Sequence, residues 1–372
     1  MSAATTAQAP ILPHQQAAAC ETPRAALSEA AGTRAELFAE FIRGMNSAGI
    51  PYCLLSGYDN DPLANDSDVD FMVRPEDGAR ITPLLRGIAS RCGALLVQAI
   101  QHEAEACYYV LAKQTGPEVA YLHPDCTTDY RREGRLWLAA DEVIRNRRRC
   151  KGFFVPAVAD EFQYYLIKKI LKQEITRWGV RRIAALYVSQ PEECRERLRR
   201  FWTQRTTRAL VSAIVTGDIE WLELHRSDLL AELLGSAPLE SRVRRSIQRL
   251  REWRRRVNRI IHPTGLSIRV RAGGAAQRSE FATQLEHNLR PAFRRTKIIA
   301  EAQSSGPGAL ASMLVSKVRS TLIIRPAPES VWQRRTPHDI SFDLPDMGQP
   351  AVEWATRMVL EAMGRRLEGR SA

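Results

Sequence analysis

The stretch Tyr52-Cys-Leu-Leu-Ser-Gly-Tyr-Asp-Asn-Asp-Pro-Leu-Ala-Asn-Asp-Ser-Asp-Val-Asp-Phe-Met-Val73 decides how the chain is read. Tyr52–Leu55 reads as a short strand that breaks at Ser56-Gly57, and Asp68–Val73 reads as a second strand. Asp68 and Asp70 are two apart on that strand, so both side chains leave by one face. Two carboxylates held this close repel each other unless a cation sits between them. Hard divalent ions such as Mg²⁺ or Mn²⁺ take such oxygen ligands. Ser56-Gly57 ends its strand in a turn whose hydroxyl and backbone N–H groups suit a phosphate. The intervening residues 58–67 can bring turn and carboxylates to one site, and Asp59, Asp61 and Asp66 among them read as turn chemistry.

Strand, Ser-Gly, about ten residues, then Asp-x-Asp on a second strand resembles the DNA polymerase β-like nucleotidyltransferase superfamily. The resemblance implies a mixed α/β core and a third carboxylate on a later strand. Val119-Ala-Tyr-Leu-His-Pro-Asp125 supplies the matching segment, with Asp125 as third ligand and Asp129 as competitor. Pro124, which cannot donate to a ladder, stands where a strand residue is expected. The resemblance further implies a two-metal transfer of a nucleotidyl group from an NTP to a hydroxyl of an unidentified acceptor. Asp68 and Asp70 would hold both ions, and Asp125 would bind one and help deprotonate the hydroxyl. A phosphate-binding lysine is expected on the following helix, where Lys168, Lys169 and Lys172 lie opposite Tyr165, Leu166 and Ile170. Asp-x-Asp also serves glycosyltransferases, but there it usually ends an apolar strand, and here the apolar run follows it. His123 reads as a local hydrogen-bonding residue rather than a base.

Outward from this core, residues 1–33 are rich in Ala, Thr and Gln without period and read as a disordered tail, not a signal peptide. Residues 34–150 form the nucleotidyltransferase-like unit. It opens with a helix over 35–45, and a helix over 75–91 and strands at 94–100, 107–111 and 119–122 follow. Residues 151–262 read as a helical domain, with helices only from Ala159 to Ile261. Residues 263–372 return to α/β.

Leu266–Leu285 has the rhythm of a P-loop: strand, small-residue turn, helix from Ser279. Ala272 and Gln277 stand at the glycine positions and Arg278 at the lysine. Ser320–Arg335 looks like the late strand and following helix of thymidylate kinase-like enzymes, and the Ile340-Ser-Phe-Asp-Leu-Pro segment with its terminal helix looks like that family's end. The region therefore resembles a shortened, degenerate member of that family. The resemblance implies that it neither binds nor hydrolyses ATP, because side chains fill the turn and a planar guanidinium replaces a point charge. Bacterial chains of this general build are often met near polysaccharide synthesis genes.

Charge is lopsided, with 54 Lys plus Arg against 42 acids, a net +12 that favours polyanionic partners. Residues 242–259, RVRRSIQRLREWRRRVNR, hold nine Arg. Val243, Ile247, Leu250, Trp253 and Val257 recur there at helical spacing, which predicts one core-facing side. The Arg side suits solvent or an interface, with nucleic acid, acidic polymer or an anionic membrane as alternatives. Seven scattered cysteines without a CxxC pair fit reduced thiols in a cytoplasm. No apolar run is long enough to span a bilayer. The functional classes left open are a metal-dependent nucleotidyltransferase, a non-catalytic nucleotide-sensing or scaffold protein, and a toxin-like transferase modifying tRNA or protein.

Overall fold

The computed structural model describes residues 29–56, 58, 68–271, 274–298, 320–326, 339–343 and 349–369. Residues 1–28 of the expected tail, Gly57 and the loop 59–67 lie outside the described residues. Helix α1 (Glu29–Ser47) begins earlier than the sequence predicts and takes in residues 29–33 of that tail. Leu37, Phe38, Phe41 and Met45 are buried at helical spacing, and so are Thr33 and Arg34 one turn earlier. Tertiary packing, rather than propensity, supplies most helix stability, and here it draws in the extra turn.

The first sheet is mixed. β1 (Tyr52–Leu54) pairs antiparallel with β2 (Val69–Val73). A 3₁₀ turn, Pro75–Asp77, leads into α2 (Gly78–Arg91). β3 (Leu95–Glu103) and β4 (Ala106–Thr115) pair antiparallel, and β5 (Glu118–Leu122) also pairs with β4. β6 (Pro124–Thr127) inserts between β2 and β4, parallel to the first and antiparallel to the second, giving the order β1-β2-β6-β4-β3. The segment 119–125, read as one strand, is thus two. The break falls at His123, whose carbonyl accepts from Val69 N at 2.9 Å. Pro124 is tolerated because it opens β6, where a missing donor disturbs the ladder least.

Alternation on β2 sorts the two faces of this sheet. Val69, Phe71 and Val73 pack with α1 and α2, whereas Met72 joins Cys53 and Leu55 against the helices that follow. The first of these, α4 (Val158–Lys172), lies over the second face. Between sheet and α4 the chain forms two small hairpins, β7 (Tyr130–Arg132) with β8 (Arg135–Leu138) and β9 (Arg148–Cys150) with β10 (Phe153–Val155), and the short α3 (Ala140–Arg145).

As the apolar stripes predict, the next region is helical: α5 (Arg177–Ser189), α6 (Pro191–Arg199), α7 (Gln204–Thr216), α8 (Ile219–Leu224), α9 (Arg226–Ser236) and α10 (Arg242–Ile261). Thr176, Thr203, Asp218 and Ser241 cap α5, α7, α8 and α10 by accepting from backbone N–H groups of the first turns. α10 departs from expectation. None of its residues is buried, and its apolar stripe does not enter the core. It is held instead through its polar side: Gln248 donates to Glu240 at 2.7 Å, Arg251 to Glu105 at 2.9 Å and Arg255 to the Gln101 carbonyl at 3.3 Å.

The C-terminal region is a parallel sheet of β11 (Leu266–Arg271), β12 (Arg295–Ile298), β13 (Thr321–Pro326) and β14 (Asp339–Asp343), ordered β12-β13-β11-β14. Leu266, Ile268, Val270, Leu322, Ile323 and Ile324 are buried, the near-continuous apolar pattern of strands covered on both faces. α11 (Ala275–Leu289) and α12 (Gln349–Glu368) pack on it. α11 starts at Ala275 rather than Ser279, so Ala275, Ala276, Gln277 and Arg278 form a helical first turn. Residues 272–273 of the expected turn lie outside the described residues. The same hydrophobic core takes in Val97, Val110, Ala112 and Tyr121 of the first sheet, so the two sheets share a core.

Candidate active site

Asp70 leaves β2 on the face that meets α4. Its Oδ2 accepts from Ser56 Oγ at 2.7 Å and from Lys168 Nζ, on α4, at 3.1 Å. Lys168 Nζ also donates to Tyr164 OH at 2.8 Å, one helical turn back. Asp125 is the register partner of Asp70 on parallel β6, and Tyr108 is the partner of Asp125 on β4. Register partners in neighbouring strands share a face, so Asp70, Asp125 and Tyr108 stand side by side. Asp68 immediately precedes β2, and its Oδ1 accepts from Tyr108 OH at 3.4 Å. His102 Nε2 lies 3.7 Å from Asp125 Oδ1. The sequence spacing of Asp68 and Asp70 and the later Asp125 thus converge on one half-buried surface.

Electrostatics follow from burial and crowding. Asp125 is pushed up to about 7, first by burial and then by the like charges of Asp70 and Asp68. Asp68 is raised by burial against the opposing pull of His123, with Asp70 adding to the rise. Burial, then the charge of Arg294, lowers the His102 pKa. Burial works against the Lys168 ammonium, but Asp70 and the hydrogen bond to it outweigh that and raise its pKa.

The sign of the Asp125 shift fixes a pH dependence. Native Asp125 keeps its proton up to about 7, whereas the unfolded carboxyl ionises near its ordinary value of about 4. Between these values the native state binds more protons, so stability falls as pH rises and levels off above 7. The loss is on the order of 2–4 kcal/mol. Chemical denaturation at pH 5 and pH 8 should show it, and Asp125→Asn should flatten the difference. An unchanged pH profile in that variant would mean that Asp125 is not the crowded carboxyl.

The donor set suits a hard divalent cation: three carboxylates, two of them raised by burial and then by their neighbours' like charge, beside a hydroxyl. Among the described residues no three His, Cys, Asp or Glu side chains already form a ligand group for a metal ion. Closing one needs Asp125 to lose its proton and Lys168 to release Asp70.

The other sequence candidates divide. Ser56 reaches the site, and Gly57 lies outside the described residues. Lys168 reaches Asp70; Lys169 instead lies against α5, where a Cβ on Gly179 would meet its Cε at 3.3 Å. Asp129 is occupied elsewhere: its Oδ1 accepts from Ala140 N at 2.8 Å, at the start of α3, and its Oδ2 from Arg131 at 2.7 Å. His123 Nε2 lies 2.9 Å from the Pro291 carbonyl, and its ring stacks between Tyr108 and Tyr121.

Four contributors escape a reading of the sequence. Tyr108 and His102 look like ordinary strand residues, and only the register of β6 against β4, with β3 paired to β4 for His102, brings them to the carboxylates. Tyr58, two residues after Ser56, is buried and donates from its hydroxyl to Glu161 of α4, the helix carrying Lys168. Arg294, in the loop before β12, places its guanidinium 5.9 Å from the Tyr108 ring centre and acts electrostatically on Asp68 and Asp125. No local pattern marks Arg294, because its chain segment belongs to the other sheet. Beside the site, a cleft of about 800 Å³ opens between His102 and α10, with Arg132, Arg245, Arg249 and Arg256 on its walls.

No protein-family model matches the chain, and no curated protein matches it in sequence. A crystal structure from H. pylori described as a "putative nucleotidyltransferase" aligns with 56% of this chain and 98% of its own, at 13% identity and a TM-score of 0.27. A likeness that weak carries no argument about fold or chemistry, and the case for function rests on the residues themselves.

Proposed function

We propose that the chain is a metal-dependent nucleotidyltransferase that moves a nucleotidyl group from an NTP to a hydroxyl of an acceptor. The observation that carries this reading is the register of Asp70 against Asp125, with Asp68 and Lys168 at the same surface. Mg²⁺ or Mn²⁺ held by Asp68, Asp70 and Asp125 would supply Lewis-acid stabilisation of the entering and leaving oxygens. Asp125, with a carboxyl near 7, is tuned to take the proton of the attacking hydroxyl. Ser56, Lys168 and Arg294 are the groups available to the triphosphate, and the Arg-walled cleft beside His102 suits an anionic acceptor. The test is mass spectrometry of cell extract incubated with the protein, Mg²⁺ and isotopically labelled NTPs. A labelled nucleotidyl adduct that needs both metal and active protein is the expected result; no adduct with any NTP overturns the reading.

One observation favours the non-catalytic alternative. The Lys168 ammonium already sits on Asp70 as an internal cation, which would hold the carboxylates without metal. A nucleotide sensor would bind NTP equally with and without Mg²⁺, and the enzyme only with it.

For the C-terminal region we propose a degenerate kinase-like unit without ATP binding. Gln277 Oε1 accepts from Gly274 N at 3.1 Å, so an amide that would face a phosphate is already taken. Titration calorimetry of the full chain in which Asp70→Asn has disabled the first site should show no ATP·Mg²⁺ binding. Micromolar binding lost in Arg278→Ala would reverse that conclusion. Its remaining contribution is to present Arg294 and to brace His123 through Pro291.

A further inference from the structure

Helix α10 packs with its polar side inward. Apart from Val257, its half-buried residues are Arg245, Gln248, Glu252, Arg255 and Arg259, which recur at three- and four-residue spacing on the side toward β3. The apolar residues lie on the opposite side. Val243, Ile247, Leu250, Trp253, Ile260 and Ile261 are between 45% and 69% exposed. A helix of 20 residues is about 30 Å long, so this is a long apolar stripe. Such a surface is uncommon on a chain that has no partner for it.

Its chemistry narrows the partner. Nine arginines and one glutamate lie on α10; Arg249 and Arg256 rim one side of the stripe, Arg244 and Arg251 rim the other, and Arg254 falls within it. A second copy of the helix would bring these rims together at a high repulsive cost. A nucleic acid would match the arginines and leave the stripe in water. An anionic bilayer surface satisfies both, since its phosphates meet the arginines and its acyl boundary takes the apolar side chains. Trp253, on the edge of the stripe, is the residue type that favours that interface.

We propose that α10 is an interfacial anchor that lies in the headgroup region of an anionic membrane, its stripe toward the acyl chains and its arginines among the lipid phosphates. No helix among the described residues is long and apolar enough to cross a membrane, so the contact is peripheral. Vesicle binding is read without any nucleotidyl transfer, so membrane contact and transfer can be tested apart.

The experiment is flotation of the full chain with vesicles of phosphatidylcholine alone and of phosphatidylcholine with roughly one-third phosphatidylglycerol. Binding to the anionic vesicles only, weakening as salt rises, is the expected result. The double substitution Leu250→Gln/Trp253→Gln should lower partitioning at least about tenfold. Arg244→Gln/Arg254→Gln should lower it about tenfold as well. All four side chains are exposed, so the melting temperature of each variant should match the wild type. Three results would overturn the proposal. One is no binding, or equal binding to neutral vesicles. Another is a dimer that the stripe substitutions dissolve while vesicles are ignored. The third is RNA binding that survives those substitutions in a protein indifferent to lipid.

Discussion

Asp70→Asn is expected to lower metal-dependent nucleotidyl transfer by about a thousandfold or more, the scale on which enzymes lose rate when a principal electrostatic group at the reacting centre is removed. Asp70 holds the central position, with Ser56 and Lys168 bonded to its Oδ2 and Asp125 beside it in register. Asparagine keeps the shape and one acceptor oxygen but loses the charge that a divalent ion needs. The measurement is transfer of label from an α-labelled NTP in the presence of Mg²⁺. A variant that transfers at the wild-type rate would place the chemistry elsewhere. The same substitution separates two views of stability. From the sequence, relief of repulsion between Asp68 and Asp70 predicts unchanged or higher stability. With Lys168 paired to Asp70, the substitution instead strands a half-buried ammonium, and a modest fall in melting temperature is expected. The stabilising change is Asp125→Asn at pH 8, because Asp125 is the carboxyl that burial, and then the like charges of Asp70 and Asp68, have raised.

Glu161→Ala should lower folding stability by about 3–5 kcal/mol, the usual consequence of removing one partner from a buried charged network. The Glu161 side chain is fully buried. It accepts from the Tyr58 hydroxyl and from Arg182, and from Arg148 at 3.4 Å. The Arg182 guanidinium also stacks over the rings of Tyr58 and Tyr165, at 5.4 and 4.7 Å. Tyr58, α4 and α5 are therefore joined at one carboxylate. Its loss would deprive two arginines of this counter-charge and the Tyr58 hydroxyl of its acceptor. Urea unfolding measures the effect, and Glu161→Gln, which keeps an acceptor for Tyr58, should lose less. A loss under about 1 kcal/mol for Glu161→Ala would show that the network is not cooperative.

What could be read in advance was whatever repeats locally. The alternation 69–73 announced β2, the stripe Phe162, Tyr165, Leu166 and Ile170 announced α4, and the apolar run 266–270 announced β11. The candidate site was legible to the extent that its members are close in sequence or belong to a recognisable pattern: Asp68, Asp70 and Asp125. Lys168 stood out among three lysines only as a helix-face residue, and the sequence had no means of separating it from Lys169. Their side chains diverge by about one residue's rotation, near 100°. That rotation sends Lys168 to Asp70 and Lys169 to α5.

The amino-acid sequence by itself determined the α/β character, the paired carboxylates on one strand face, the helical middle and the amphipathic arginine-rich helix, because each depends on backbone periodicity within a few residues. Only the tertiary structure decided that β6 separates from β5 and inserts beside β2, that Tyr108 and His102 join the carboxylates, and that Arg294 reaches them from the other sheet. Those outcomes depend on strand register and on contacts across more than a hundred residues, which no local period encodes. The same holds for α10. Its pattern fixed a helix with one apolar side, but the direction that side faces was settled by Glu105, Glu240 and the Gln101 carbonyl, which engage its polar face and turn the stripe outward.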